Sequence, residues 1–184
     1  LYEMFMGPLE VSKPWSATGV AGAKKFINRV WNFFSEPVNV TEEDDGKLTK
    51  VYHQTVKKVT SDFETLGFNT AIAQMMVFIN DVYKNGTCPR AYAEGFIKMF
   101  SCIVPHVGEE LWQLLGHDNT IAYEQWPTYD EAKCKDAEVT IAVQVNGKMR
   151  GTVVMDADLD NDTVVQNVLA NEKIAAFLAK QEGQ

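Results

Sequence analysis

The sequence predicts a mainly α-helical protein. It indicates an antiparallel helical bundle over residues 1–128, a linker at 129–137 and a small α/β domain with a β-hairpin at 138–184. Two observations carry this prediction. Between residues 16 and 116 the apolar residues recur every three or four positions, as on one face of an amphipathic helix. From residue 138 the apolar period shortens to two, as in a half-buried strand, so a second domain begins there.

Composition and charge narrow the classes of protein to consider. The chain has 184 residues, 46% of them hydrophobic, and no apolar run near the roughly 20 residues of a membrane helix, so no membrane partner is expected. Cys88, Cys102 and Cys134 are too scattered for a secreted disulfide framework or a zinc site; unpaired structural thiols in a cytoplasmic protein are expected. A formal net charge of −8 argues against general nucleic-acid binding, so any RNA-binding face must be local.

The first two helices follow from apolar periodicity and end signals. Residues 16–35 predict the first helix, with Ser16 or Thr18 as N-cap. The acidic stretch "EPVNVTEEDDGK" indicates a solvated loop. Gly67 is predicted to close the second helix. The buried stripe of that helix is expected to comprise Leu48, Val51, Tyr52, Val56, Val59, Phe63 and Leu66.

The next two helices are read in the same way. Asn69 is the predicted cap of the third helix, and "KNGTCPR" is the turn that follows it. A fourth helix is expected over residues 91–103. The third helix should be buried through Ile72, Met75, Met76, Ile79, Val82 and Tyr83.

The stretch "VPHVGEELWQLLG", residues 104–116, allows two interpretations. His106 lies three and four residues before Glu109 and Glu110, a spacing that places imidazole and carboxylates on one helical face. A metal or acid–base site would need further converging partners, and the chain supplies none in sequence. The favoured interpretation is a helix start, with a proline in its first turn and carboxylates near the positive end of the dipole. Its predicted stripe is Val107, Leu111, Leu114 and Leu115, with Trp112 at the edge.

The segment "EVTIAVQVNGKMRGTVVM", residues 138–155, predicts a β-hairpin around Asn146-Gly147. A two-residue turn would mix apolar and polar side chains on each face. A bulged turn with left-handed Gly147 segregates them and is therefore preferred. This register pairs Val143 with Met149, Ile141 with Gly151 and Val139 with Val153.

One or two helices should cover the apolar face of the hairpin. Because a hairpin with one helix is marginal alone, we expect this domain to be incomplete and the chain to be a fragment of a longer protein. The covering residues are predicted to be Val164, Val165, Val168, Leu169, Ile174, Phe177 and Leu178.

The motifs in chain order resemble the bacterial leucyl-tRNA synthetases. The stretches "LYEMFMGPLE…KPWS…GVAGAKKFINRVW" and "PHVGEELWQLLG" are similar to the helical anticodon-binding domain that class I synthetases for Leu, Ile and Val share. "VQVNGKMRG" after "AYEQWPTYDE" is similar to the leucine enzymes specifically. The resemblance implies a tRNA-docking portion of a leucine–tRNA ligase, with tRNA(Leu) and the catalytic domain of the same chain as partners.

The resemblance also implies what this segment should lack. The "HIGH" and "KMSKS" signatures that hold ATP in that family do not occur in the sequence, nor does a segment like the inserted editing domain. We therefore expect no catalytic residue, no metal ligand and no cofactor here, with ATP and Mg belonging to the parent's catalytic domain. The chain alone should be inactive.

Three basic clusters are candidates for contact with tRNA. The hairpin pair Lys148 and Arg150 is preferred, because its predicted polar face also carries Gln144 and Thr152. Solvated surface charge is the ordinary alternative for each cluster. Trp15, Trp31, Trp112 and Trp126 are expected to pack rather than to stack on bases. The other two clusters are Lys24, Lys25 and Arg29 on the first helix and Lys57 and Lys58 on the second.

Three other functions compete with tRNA docking. A helical scaffold or protein-interaction module without nucleic acid would explain the acidity and the apolar helices equally well, though not the order of motifs. The equivalent region of a valyl- or isoleucyl-tRNA synthetase shares the helical motifs. A metal-dependent hydrolase built on His106, Glu109 and Glu110 would need the partners that are missing.

Overall fold

The structure is a computed structural model, and it describes residues 1–135, 138–145, 148–156 and 159–171. Two compact units divide the chain, Leu1–Cys134 and Lys135–Gln184. The first unit contains α1 (Tyr2–Phe5), α2 (Ala17–Phe34), α3 (Thr49–Glu64), α4 (Phe68–Asn85), α5 (Arg90–Ser101) and α6 (Pro105–Leu114). The second contains β3 (Glu138–Val145), β4 (Lys148–Asp156) and α7 (Asn161–Ala170). A helical unit followed by a hairpin and a helix confirms the predicted fold class.

The acidic segment between α2 and α3 has more structure than the predicted loop. It contains a 3-10 turn at Pro37–Asn39 and the two-residue strand β1 (Val40–Thr41). The short strand β2 (Cys88–Pro89) lies in the predicted turn after α4 and pairs with β1 in parallel. This pairing joins two connections that are distant in sequence.

A core of aromatic and branched side chains holds the first unit together. Phe96 lies at its centre, with its ring stacked against those of Phe34, Phe78 and Phe100 at centroid distances of 5.7, 5.2 and 5.8 Å. Val56, Ile72, Met75, Ile79 and Leu111 are fully buried around this stack. Burial of this kind, rather than helix propensity, stabilises short helices. The described helices include none long and apolar enough to cross a membrane.

Helix ends confirm one cap prediction and correct two others. Ser16 caps α2, its hydroxyl accepting a hydrogen bond from the Gly19 amide at 3.2 Å. The left-handed residue after α3 is Leu66, with φ 59°, whereas Gly67 has φ −79° and is the N-cap position of α4. Asn69 is therefore inside α4 and is not its cap. The Gly67 amide instead donates to the Asp62 carbonyl at 2.6 Å, which makes the α3–α4 corner tight.

Two glycines permit close packing within the bundle. A Cβ at Gly108 would lie 2.4 Å from Ser101 Cβ, and one at Gly95 would lie 2.0 Å from Tyr52 Oη. Such contacts are sterically impossible without movement, so these sites allow α6 to approach α5 and α5 to approach α3.

The apolar stripe of α6 differs from the predicted one. Trp112, predicted at the edge, is 2% exposed, whereas Leu114, predicted buried, is 50% exposed. Only Leu111 of the predicted stripe is fully buried, and Val107 and Leu115 are partly so. The buried face of α6 therefore includes the Trp112 indole and excludes Leu114, in contrast to the predicted stripe.

Hydrogen bonds hold the segment after α6 against α3. Trp126 Nε1 donates to Thr60 Oγ1 at 2.8 Å, and the Asp130 amide donates to His53 Nδ1 at 3.0 Å. Gln54 Nε2 donates to the Cys134 carbonyl at 2.8 Å. Residues 129–134, which the sequence assigns to the linker, thus lie along α3 as part of the first unit.

In the second unit the hairpin register differs from the predicted one. Ile141 pairs with Val153, Val139 with Met155 and Val143 with Gly151, a shift of two residues along β4. Val145 pairs with Lys148, which is the spacing of a two-residue turn, and the irregularity that restores the segregated face comes later, between Val143 and Gln144. The predicted pairing of Val143 with Met149 is therefore wrong. The proposed left-handed Gly147 lies outside the described residues.

One helix covers the apolar face of this hairpin. Ile141, Val143, Leu159, Val164 and Val168 pack around buried Val153 and Met155. Two other residues of the predicted stripe, Val165 and Leu169, are about half exposed. Ile174, Phe177 and Leu178 lie outside the described residues. Asp160 begins α7 by accepting hydrogen bonds from the amides of Asp162 and Thr163.

Candidate nucleic-acid interface

The first basic cluster lies on α2. Lys24 and Lys25 are exposed, and no hydrogen bond or ion pair of either side chain is recorded with the described residues. Arg29 is half-buried: its Nη1 donates to Asn80 Oδ1 at 2.9 Å and its guanidinium lies 4.9 Å from the Tyr83 ring centroid. The Tyr83 hydroxyl donates back to the Arg29 carbonyl at 2.8 Å. Arg29 therefore joins α2 to α4, and two of the three cations are left for a ligand.

The second cluster, on α3, is engaged within the protein. Lys57 Nζ lies 2.5 Å from Glu131 Oε1, and this hydrogen bond raises the pKa of Lys57. Lys58 Nζ lies 2.5 Å from an oxygen of Asp62, a carboxylate that is largely buried and also accepts from Thr70 Oγ1 at 2.7 Å. Loss of Lys58 would leave a buried charge without its counter-ion, so this lysine has a structural task.

The third cluster lies on the hairpin. Gln144 is exposed and its Cα partner is Met149, which is 62% exposed; Thr152 is exposed as well. These three positions define a solvent face of β3 and β4. The side chains of Lys148 and Arg150 lie outside what the structure describes, so the cationic pair stays a prediction. The backbone register pairs Lys148 with Val145 and skips Arg150, which differs from the alternation behind that prediction.

A fourth basic site was missed at the sequence level. A groove of about 530 Å³ runs between the first half of α3 and the last half of α4, and three lysines line it. Lys47 is exposed and pairs with Asp45 at 2.8 Å; Lys84 is exposed on α4. The antiparallel pairing of α3 and α4 brings positions 47–54 beside 77–85, and no local pattern in the sequence indicates it. The lining residues are Lys47, Leu48, Lys50, Val51, Gln54, Val77, Asp81, Lys84 and Asn85.

In the histidine–glutamate stretch at the start of α6, a glutamate forms hydrogen bonds that hold the loop after this helix in place. Glu109 accepts hydrogen bonds from Thr120 Oγ1 and, at 3.1 Å, from the Ile121 amide. The hydrogen bond from Thr120 lowers the pKa of Glu109. His106 and Glu110 are exposed, and no group of three metal-ligating side chains occurs among the described residues.

The tryptophans and thiols follow the predictions with two exceptions. Trp112 is buried, with its ring stacked 3.6 Å from that of His117, and Trp31 and Trp126 are partly buried. Trp15 departs from core packing: its side chain is 73% exposed, and its ring packs edge-on against that of Tyr2. All three cysteines are free, but Cys102 is exposed rather than structural.

Comparison with known proteins shows the family of this chain. Residues 45–166 match the family model described as the anticodon-binding domain of tRNA ligase. The fold is similar to that of a leucyl-tRNA synthetase from Agrobacterium radiobacter K84, agnB2 LeuRS, solved as a ternary complex with tRNA and LeuAMS. The TM-score is 0.73 at 26% identity, over 96% of this chain and 25% of that one. The chain thus spans about a quarter of the length of the synthetase that it matches.

Proposed function

This chain belongs to the family of anticodon-binding domains of tRNA ligases, and we propose that it is the tRNA-docking region of a leucyl-tRNA synthetase. The observation that carries the leucine assignment is the similarity to agnB2 LeuRS, because it extends over 96% of the chain and includes both units. The motif order is a second support, since "VQVNGKMRG" follows "WPTYDE" as in the leucine enzymes.

In this proposal the chain positions RNA and does no chemistry of its own. Contacts to phosphate and sugar fix the register and orientation of a nucleic acid on a protein without reading its sequence. The leucine activation that uses ATP and Mg, and the transfer to tRNA(Leu), belong to a catalytic domain elsewhere in the same cytoplasmic protein. No residue of this chain is proposed as catalytic or as a ligand of a cofactor or metal.

Of the three clusters predicted from sequence, those on the hairpin and on α2 are proposed as RNA contacts, since Lys57 and Lys58 on α3 form ion pairs within the protein. Lys148 and Arg150 are proposed to hold phosphate oxygens, with exposed Gln144 beside them as a further donor. Replacement of both cations by alanine should reduce the salt dependence of tRNA binding by a slope of up to about 2. If affinity and slope stay at the wild-type values, Lys24 and Lys25 become the preferred contacts.

A competition experiment tests the proposed function. Labelled tRNA(Leu) is bound to the 184-residue chain at several salt concentrations, and unlabelled tRNA(Leu), tRNA(Val) and tRNA(Ile) compete for it. We expect binding that weakens linearly with log salt, and best competition by tRNA(Leu). Equal competition by all three would overturn the leucine assignment, and absence of tRNA binding would overturn the docking role and favour a protein-interaction module.

A further inference from the structure

The groove between α3 and α4 has the form of a site for an extended ligand. Leu48 forms a buried part of its lining, and the partly exposed Val51 and Val77 continue it. Cationic side chains enter from both sides, Lys47 from the turn before α3, Lys50 from the first turn of α3 and Lys84 from α4. Its volume of about 530 Å³ lies in the range of ligand sites.

The charge of the groove is opposite to that of the whole chain. Three of its lining residues are lysines and one, Asp81, is acidic, whereas the chain carries a formal net charge of −8. Asp45 neutralises part of the charge of Lys47 from outside the lining. Three cations that converge on one concave surface focus positive potential there, even where a cation also has a partner within the protein.

The chemistry of the lining favours a phosphate backbone over nucleobases. The lining has no aromatic side chain, so it offers no platform on which a base could stack. Lysine ammonium groups act as compact point charges that suit phosphate oxygens without demanding one orientation. Amide groups of Gln54 and Asn85 are nearby, although each already donates one hydrogen bond to a backbone carbonyl.

The groove also adjoins the cations of α2. Arg29 is hydrogen-bonded to Asn80, and Lys84 lies one helical turn beyond Asn80 on α4, roughly 6 Å along that helix surface. Positive charge therefore extends from α2 across α4 to the groove. A continuous path of this kind fits a polyanion that spans several contacts better than it fits a single small anion.

We propose that the α3–α4 groove, lined by Lys47, Lys50 and Lys84, binds the backbone phosphates of a structured RNA. This inference rests on the proposed function, that the chain docks tRNA, and names a surface for that docking. The RNA is held by charge and shape, as is typical of helical RNA, whose bases are difficult to reach from outside.

Two paired variants of the 184-residue chain test the groove. Lys47→Gln with Lys84→Gln removes two cations, and Lys47→Arg with Lys84→Arg keeps the charge at the same positions. Both replace exposed side chains, and thermal melting verifies that each variant folds. Lys133→Gln with Lys135→Gln is the matched control, with the same loss of charge from two exposed positions outside every proposed RNA contact. The probe is a tRNA(Leu) transcript, titrated between 0.05 and 0.2 M salt.

The expected result is specific to the groove. The glutamine pair should weaken tRNA binding at 0.1 M salt by about tenfold or more and reduce the magnitude of the salt slope by up to about 1.8, since each phosphate contact contributes about 0.9. The arginine pair should bind within about twofold of wild type, because Arg also engages phosphate. The Lys133 and Lys135 control should lose less affinity than the glutamine pair.

Three results would overturn the inference, and they are distinguishable from failure of the proposed function. Wild-type binding by the glutamine pair, or an equal loss in the Lys133 and Lys135 control, would mean that the groove is not a specific phosphate site. Polyglutamate serves as a second probe: if the glutamine pair loses polyglutamate binding but keeps wild-type tRNA binding, the groove would be assigned to an acidic protein segment. If the wild-type chain binds no tRNA, the proposed function itself fails and the groove loses its ligand with it.

Discussion

The hydrophobic cores of the two units of this chain differ greatly in how deeply their side chains are buried. In the helical unit, side chains such as Val56, Phe78, Phe96 and Leu111 are completely buried, and the core extends through α2 to α6. In the described part of the second unit, the buried hydrophobic side chains are Val153 and Met155, at 9% and 7% exposure. The free energy of local opening follows buried apolar contact. The helical unit is therefore a tightly packed platform, and we expect the described strands and helix of the second unit to open more easily.

The largest expected difference comes from truncating the centre of each core. Phe96→Ala removes the ring that stacks on three others and should lower the free energy of unfolding by about 3–5 kcal/mol. Val153→Ala should speed amide exchange in β3 and β4 only. Urea unfolding followed by tryptophan fluorescence separates the two, because Trp15, Trp31, Trp112 and Trp126 all lie in the helical unit. An equal shift of that fluorescence curve by Val153→Ala would show that the units unfold as one.

A matched glycine pair tests how tightly the platform is packed. Gly108→Ala should lower the free energy of unfolding by about 1–3 kcal/mol, because the new Cβ would lie 2.4 Å from Ser101 Cβ. Gly22→Ala, inside α2 with nothing within 4 Å of the added Cβ, should raise it by about 0.5–1 kcal/mol. Urea titration of both variants measures the signs. Changes of the same sign would contradict the close approach of α6 to α5.

Helix caps provide a smaller contrast between the units. Ser16→Ala removes the hydroxyl that accepts from the Gly19 amide and should lower the stability of the helical unit by about 1 kcal/mol. Asp160→Ala removes the carboxylate that accepts from the amides of Asp162 and Thr163, and should speed amide exchange in α7. Tryptophan-detected unfolding should change for Ser16→Ala alone. A shift with Asp160→Ala would mean that α7 stabilises the bundle.

Periodicity predicted where helices occur better than where they end. A stripe of apolar residues is a property of many positions together, so α2, α3, α4, α5 and α6 could each be found from sequence. Helix ends depend on single hydrogen bonds. The tight α3–α4 corner puts the left-handed conformation on Leu66 because the next amide, that of Gly67, bonds to the Asp62 carbonyl. Local sequence favoured the glycine, and tertiary packing decided otherwise.

The hairpin shows the same limit for strand register. Segregation of faces was the right criterion, since Ile141, Val143, Val153 and Met155 share the covered side. The predicted position of the irregularity was wrong. It was assigned to the turn, whereas the structure has it two residues further along the ladder. Both places segregate the faces nearly as well, so the hydrophobic pattern alone could not choose.

Functional surfaces were the least predictable feature. Motif order indicated the family, but charge counting along the chain grouped lysines by sequence neighbourhood. Lys57 and Lys58 are adjacent in sequence, yet each forms an ion pair within the protein. Lys47 and Lys84 are 37 residues apart, yet both line one groove. Helix pairing decides which cations lie close together, so such clusters are found only in the three-dimensional structure.

The smallest expected effect is that of acid on the hydrogen bonds that hold residues 126–134 against α3. His53 accepts the Asp130 amide through Nδ1, which requires that nitrogen to carry no proton. Burial lowers the pKa of His53 below its usual 6.5, nearby Lys133 lowers it further, and Asp130 and Asp44 oppose the shift. The unfolded chain therefore binds a proton more readily than the folded one, and stability rises with pH in that range.

Because the pKa of His53 is lowered in the folded chain, its contribution to stability is lost in a defined pH range. The stabilisation from neutral His53 is fully present above about pH 6.5, the unfolded value, and disappears as pH falls from there through the lowered folded pKa. The melting temperature should fall from pH 7.5 to pH 5.5, and fall less in His53→Gln, whose amide oxygen can accept the Asp130 amide without titrating. His106→Gln, at an exposed position, is the matched control and should keep the wild-type slope. Equal pH slopes in wild type and His53→Gln would mean that another group carries the acid sensitivity, and that the fastening of this segment to the platform does not depend on the protonation of His53.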